Sequence, residues 1–366
     1  MRIKVTVPLN TRIGGAHTTY QTGTVREPGE EIEVTGTVQG EELDGNNIWY
    51  KAGDEANSNF WSGGAEQIDG AGRNFQQWMA DLNLPEIWAK YAGTGVGVAV
   101  VDTGIAPGIT DLFYNTSKYY VYGEGVEIND GDGHGTTCAS IIGARNISDN
   151  YIGVAPACNL YICKISETRF FDDNETGALK YAEAINWCAS KPEIQIISIS
   201  WSTEIKLQQT KDTIQKAIDN AVSNKKIIIC SIGNATSFGD NSAFYPACFE
   251  NVIGVGAAPL EDVVYPFINE HLHVVVNGAN IDAYQKDSTV EKGTGSSQAT
   301  AIIAGIAALM VQKLNFSYTF DDIKNMLIKF CEPQTPFSIP ADGSAGTFNL
   351  PLLNPALLLD FFNNTI

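Results

Sequence analysis

The stretch GVGVAVVDTG, residues 95–104, is a continuous apolar run that ends in a turn. A strand with one wet face alternates polar and apolar residues. A strand that does not alternate is buried on both faces, as in a parallel sheet covered by helices. The same texture recurs in NLYICKIS (159–166), IQIISISW (194–201), KKIIICSIGN (225–234), NVIGVGAA (251–258) and HLHVVVNGA (271–279). Helical periods lie between them, in ETGALKYAEAINWCAS (175–190) and KDTIQKAIDNAVSNK (211–225). Alternating strands and helices of this kind predict a three-layer, doubly wound α/β domain with a mostly parallel sheet. In such domains functional groups gather at the C-terminal ends of the strands.

The N-terminal part reads differently. RIKVTVPLNTRIGG, TGTVREPGEEIEVTGTV and NNIWYKAG are short β-rich segments separated by Gly, Pro and Asn. They predict a small all-β barrel or sandwich over residues 1–67. Residues 68–83 read as a linking segment, and MADLNLPEIWAKYA (79–92) as a short helix leading into the α/β domain of residues 84–366.

The chain has 366 residues and a net charge of −19. Acidic residues outnumber basic ones on both sides of Leu82, 12 against 6 before it and 30 against 17 after it. That balance argues against nucleic acid as a partner, because phosphate binding needs clustered Lys and Arg. No apolar run approaches the roughly 18 residues of a membrane-spanning helix. The start MRIKVTVPLNTRIGG lacks the apolar core of a signal peptide. The seven cysteines are odd in number, form no CxxC pair and sit mostly in apolar stretches. They read as small buried hydrophobes in a reducing compartment, which favours a cytoplasmic location. A secreted or periplasmic location is the alternative where a signal has been removed.

Four stretches carry candidate chemistry. Asp102 follows a buried strand, where it is either a turn-forming residue or a buried carboxylate that orients a histidine. Among the four histidines, His17 sits in a polar loop and His271 and His273 flank a strand. His134 alone stands between glycines at the start of a helical stretch, in DGDGHGTTCASIIGA (130–144). A general base near neutral pH is most often a histidine. Asn234, at the end of IIICSIGN, could cap the next element or donate its amide to a developing oxyanion. Ser296 and Ser297 stand before QATAIIAGIAALMVQKL, which is apolar nearly all round and so predicts a central buried helix from Ala299. A serine there is either an N-cap or a nucleophile beside unpaired helix N–H groups.

Taken together, VAVVDTGI (98–105), DGHGTTCASIIGA (132–144), IGN (232–234) and GTGSSQATAIIAG (293–305) resemble the subtilisin-like serine proteases. The resemblance covers residues from about 84 to the C-terminus, and the order Asp, His, Ser along the chain is the subtilisin order. It implies a serine endopeptidase acting on protein or peptide substrates, with Asp102, His134 and Ser297 catalytic and Asn234 in the oxyanion hole. The family motif Gly-Thr-Ser-Met-Ala-Ser-Pro-His-Val-Ala-Gly, set on Ala299, Ala304 and Gly305, puts Ser297 at the nucleophile and Ser296 at the threonine. Gln298, Thr300 and Ala301 depart from it but remove no reacting group. The resemblance also implies that Ser200, Trp201 and Ser202 line the pocket for the residue before the cut. No cofactor is implied for the chemistry. A structural calcium is implied at Asp111, with Asn146 and Asp149 in the loop 144–154 as further oxygen donors. PLNTRIGGAHTTYQTGTVREPGEEIEVTG resembles a bacterial SH3-like module, which implies binding of a peptide, a cell-wall fragment or a partner protein. Two alternatives to an active protease are a catalytically silent scaffold of the same fold and an esterase. The filled catalytic positions speak against the first, and GSSQA, which is not a GxSxG elbow, against the second.

Overall fold

A computed structural model describes residues 2–5, 9–13, 16, 18–19, 21–28, 30–43, 46–52, 58–61, 65–67, 76–145, 153–169, 174–235, 237, 240–258, 265–338 and 347–364. The chain divides into two compact units, Met1–Arg73 and a second built from Asn74–Asn146 and Asn150–Ile366.

The regular structure among the described residues of the first unit is all β. Its strands are β1 (Arg2–Val5), β2 (Leu9–Ile13), β3 (Gln21–Arg26), β4 (Glu31–Leu43), β5 (Asn46–Ala52), β6 (Ser58–Trp61) and β7 (Ala65–Gln67). They form one antiparallel sheet in the order β3-β2-β6-β5-β4-β1-β7. The long strand β4 serves two partners: Glu31–Glu33 pair with β1, and the stretch from Val34 onward pairs with β5. Val5, Ile32 and Trp49 are buried, and the Trp49 indole N–H donates to the Glu41 carbonyl at 2.9 Å.

The second unit opens with the short helices α1 (Gln77–Asp81) and α2 (Leu84–Ile87), where a single helix was expected. Its main sheet is built from β8 (Gly97–Asp102), β9 (Tyr120–Val121), β10 (Asn159–Lys164), β11 (Ile196–Ile199), β12 (Ile227–Ser231), β14 (Ile253–Ala257) and β16 (Leu272–Val276). The order is β16-β14-β12-β11-β8-β10-β9 and every pairing is parallel. Smaller pairings join β13 (Asn234–Ala235) to β15 (Tyr265–Pro266), β17 (Ile281–Tyr284) to β18 (Val290–Gly293), and β19 (Thr335–Ser338) to β20 (Thr347–Leu350).

Both faces of the main sheet are covered, which is why its strands read as unbroken apolar runs. Val98, Val100, Ile196, Ile227 and Ile229 face one core, with α3 (His134–Gly143) and α6 (Ser296–Lys313). The alternate residues Ala99, Val101, Ile197, Ile199 and Ile228 face the other, with α4 (Asn174–Ala189) and α5 (Gln208–Ser223). Helices α7 (Phe320–Lys329) and α8 (Pro355–Asn363) add Ile323, Leu327 and Leu358 to the first core. Helix α6 is buried along nearly its whole length, so its small residues let neighbours approach closely. A Cβ on Gly305 would stand 2.5 Å from the Val154 Cβ, inside any allowed contact. Among the described residues no helix is long and apolar enough to cross a membrane.

The chain leaves β8 for β10 on one side and reaches β11 on the other, so the strand order reverses at β8. A crevice outside the carboxyl ends of the strands is expected at such a switch point. Asp102 closes β8, Ser200 follows β11, and Asn234 follows β12.

Candidate active site

Asp102 is the last residue of β8 and is 1% exposed. Burial of a carboxylate demands partners, and it has three. The His134 Nδ1–H donates to Oδ1 at 2.8 Å and lies 2.9 Å from Oδ2. The Thr103 backbone N–H donates to Oδ1 at 2.8 Å, and the Thr103 hydroxyl lies 3.2 Å from the same oxygen. With Nδ1 carrying the proton, Nε2 of His134 is the ring's acceptor.

His134 is the first residue of α3 and is half-buried. A second buried carboxylate, Asp130, fixes this helix start. Its Oδ1 accepts from the Gly133 N–H (2.7 Å), the Asp132 N–H (3.1 Å) and the Thr103 hydroxyl (2.9 Å). Its Oδ2 accepts from the Thr136 N–H (2.8 Å) and hydroxyl (2.6 Å). Otherwise unpaired N–H groups of the first helical turn are thereby satisfied by a negative charge, where the helix dipole favours one. The Thr103 hydroxyl also accepts from the Gly135 N–H at 2.9 Å, so Asp102 and His134 are tied through one small network. Sequence reading passed over Asp130; an Asp just ahead of a helix, in NDGDGHGTT, was the available signal.

The His134 pKa is raised well above its ordinary value of 6.5. Burial alone pulls it down, but the Asp102 charge and hydrogen bond, with a smaller push from Cys138, outweigh that. The Cys138 Sγ lies 4.0 Å from Nδ1, one turn along α3, and burial pushes its thiol up.

Helix α6 starts at Ser296 rather than Ala299, so both serines belong to its first turn. They differ in environment. Ser296 is 1% exposed, and its Oγ lies 2.7 Å from the Ser231 Oγ at the end of β12. Ser297 is partly exposed; its Oγ donates to the Ser200 carbonyl at 2.8 Å, and the Ser200 Oγ donates to the Ser297 carbonyl at 3.1 Å. At the second helical position, the Ser297 N–H has no partner within its own helix. Asn234 is exposed, and its Oδ1 accepts from the Ser296 N–H at 2.9 Å, which leaves Nδ2 as the donating side. Ser297 and His134 share no hydrogen bond in this conformation among the described residues. Catalytic hydrogen bonds often tighten only once substrate is bound.

The remaining expected residues fall as follows. Ser200 is buried and bonded to Ser297, and Ser202 is half-buried. The Trp201 side chain turns away into the core, edge-on to Tyr181 with ring centroids 6.3 Å apart. His271 and His273 lie at β16, far along the sheet order from β8; His273 Nδ1 accepts from the Gly254 N–H at 3.0 Å, and burial lowers its pKa to about 4. His17 lies outside the described residues. All seven cysteines are buried and free of disulfides.

Asp111 is fully buried, its Oδ2 accepts from the Tyr284 hydroxyl, and its carbonyl accepts from the Arg145 N–H. Asn146 and Asp149 lie outside the described residues. Calcium takes about six to eight oxygens. Among the described residues Asp111 joins no cluster of acidic side chains of that kind; the one group of metal-ligating character is Asp102, His134 and Cys138. Asp111 is the one implied calcium donor among the described residues, and the fit of that site turns on Asn146 and Asp149.

Residues 93–338 match the subtilase family, Peptidase_S8. Subtilisin BL of Lederbergia lenta is 32% identical over 237 residues, spanning 64% of this chain and 82% of that protein. Subtilisin DY of Bacillus licheniformis is 29% identical over 229 residues, spanning 61% of this chain and 79% of that protein. A solved structure of the epidermin leader peptide processing serine protease from Staphylococcus aureus superposes with a TM-score of 0.64 at 20% identity, covering 82% of this chain and 84% of that one. That last likeness speaks for the fold. The family match spans well over half of the chain, and with it the chain belongs to the subtilase family and is a subtilisin-like serine endopeptidase.

Proposed function

We propose that the chain hydrolyses peptide bonds in protein substrates through Asp102, His134 and Ser297, with the oxyanion held by the Asn234 side chain and the Ser297 backbone N–H. The observation that carries this reading is the bidentate approach of the His134 Nδ1–H to the buried Asp102, at 2.8 and 2.9 Å. It fixes the tautomer in which Nε2 can take a proton.

The Ser297 hydroxyl leaves the Ser200 carbonyl by rotation about Cα–Cβ and turns to His134. Oγ attacks the scissile carbonyl as Nε2 takes its proton. Asp102 stabilises the imidazolium, which then gives the proton to the leaving amine. Water repeats the sequence on the acyl-enzyme. The carbonyl oxygen becomes an oxyanion where the first turn of α6 offers N–H groups and a partial positive charge, and where Asn234 Nδ2 adds a donor. The substrate lies as an extended strand along Ser200–Ser202, bound by its main chain. Fluorophosphonate labelling and casein hydrolysis test this together. Wild type should be labelled and active, and Ser297→Ala neither; labelling that persists in Ser297→Ala would sink the assignment.

The all-β first unit is read as an SH3-like binding module for a peptide, a cell-wall fragment or a partner protein. Its removal should leave hydrolysis of a short peptide intact and change capture of a larger partner. Loss of peptide hydrolysis on removing residues 1–67 would count against an accessory role.

A further inference from the structure

Two backbone segments flank Ser297. One is Ser200–Thr203, which exchanges hydrogen bonds with Ser297. The other is Gly233–Ala235, bonded to the start of α6 through Asn234 and Ser296. Each is paired with a further extended segment. Thr203 and Tyr245 exchange both N–H···O bonds at 2.8 Å, and Asn234 pairs with Pro266 across β13 and β15. These pairings set Phe244 next to the partner of the first wall and Phe267 next to the partner of the second.

The two rings meet. Their centroids are 4.5 Å apart and the planes differ by 17°, a stacked pair joining the two walls. The Phe267 ring also reaches back to the site. A Cβ placed on Gly233 would be 2.8 Å from Phe267 Cε2 and 3.0 Å from Ser202 Oγ. The ring edge and the Ser202 hydroxyl thus already converge on the residue before Asn234. Phe267 is 6% exposed, held between Phe244 and the glycine backbone.

We propose that the Phe244–Phe267 pair closes the pocket for the residue before the cut, so that the enzyme selects a small side chain there: glycine, alanine or serine. This rests on Ser297 as the nucleophile. A leucine or phenylalanine in that position has to displace a ring that is stacked on one face and set against backbone at its edge. The Trp201 indole is buried in the same core cluster as Phe267, edge-on to Tyr181.

The test is kcat/KM for three tetrapeptide p-nitroanilides that differ only in alanine, leucine or phenylalanine before the anilide. Rates are normalised to serine titrated with a fluorophosphonate. The alanine substrate should exceed the phenylalanine one by at least about tenfold, the scale on which apolar pockets discriminate by size. Phe244→Ala and the milder Phe244→Leu should both raise the phenylalanine-to-alanine ratio. Labelled wild type that cleaves the phenylalanine substrate as fast as the alanine one overturns the proposal, whatever the variants do. So does a ratio unmoved in both variants. Absence of labelling overturns the catalytic reading instead, and this inference with it.

Discussion

The Ser296 Oγ lies 2.7 Å from the Ser231 Oγ, with both side chains almost completely buried. This pair separates two serines that are neighbours in sequence. Ser296 spends its hydroxyl on holding α6 to the end of β12, while Ser297 keeps its own at the surface. Ser296→Ala should retain fluorophosphonate labelling and lose about 1 kcal/mol of stability, the usual scale for one net hydrogen bond. Mass spectrometry of the labelled peptide and urea titration of the variant check both halves. Label found on Ser296 in wild type would reverse the assignment.

With His134 as the proposed general base, its protonation sets the acid limb of activity. A general base has to be neutral, and the His134 pKa sits well above 6.5 because Asp102 outweighs burial. The kcat/KM profile should therefore keep rising above pH 6.5 and level off on the alkaline side. A plateau already reached at pH 6.5 would contradict this. The same titration enters stability with the opposite sense. A raised folded-state pKa contributes stability in full below the unfolded value, and that contribution is lost as pH rises through the folded value. Melting temperature should fall over the pH interval in which activity rises.

Much of this site was legible because its signals are local. Double-sided burial strips the strands of polar residues, so Asp102 and Asn234 stand out where they end. Glycines around His134 mark a place where backbone comes close. What stayed hidden depends on partners distant in sequence. Ser231 and Ser296 are 65 residues apart, so no spacing rule joins them. Trp201 follows a buried strand and could have faced either way; only its contact with Tyr181 decides. Phe244 and Phe267 read as ordinary aromatic residues until two separate pairings bring their rings together. The start of α6 was misplaced because the polar serines look like loop, yet they are accommodated by Ser231, Ser200 and Asn234.

Asp130 is a positioning residue for His134. Asp130→Ala leaves the Gly133 and Thr136 N–H groups and the Thr136 hydroxyl without their acceptor, at about 1–3 kcal/mol for each buried group left unpaired. Stability should fall, and kcat should fall more than KM rises, because the imidazole loses its orientation while the peptide-binding edge stays. Asp130→Asn keeps one oxygen and should recover part of both. A variant that loses stability with kcat unchanged would reduce Asp130 to a helix cap.

On the proposed mechanism Asn234→Ala removes one donor from the oxyanion hole, and it also removes the acceptor of the Ser296 N–H. The expected loss, about 10²–10³ in kcat with KM little changed, is carried over from the equivalent change in a subtilisin. Asn234→Asp separates the two roles. It keeps the oxygen for Ser296 and replaces the amide donor with an acceptor. Its kcat should fall at least as far as that of the alanine variant, with the start of α6 better preserved. An aspartate variant as active as wild type would exclude Asn234 from the oxyanion hole.

Gly233 connects Asn234, the proposed oxyanion donor, to the aromatic pair. Its φ of +99° is a conformation that L-residues rarely adopt, and a Cβ there would stand 2.8 Å from the Phe267 ring. Gly233→Ala therefore carries two separable costs. The backbone cost, about 1–3 kcal/mol for a residue in a disfavoured region, is independent of the neighbour. The overlap with Phe267 is not. Adding Phe267→Ala relieves the overlap and leaves the backbone strain. The double variant should then be less destabilised in urea titration than the sum of the two single changes, the sign of coupling expected for residues in contact. Additivity would mean that the ring moves aside without resistance, and a ring so easily moved could not restrict the side chain before the cut.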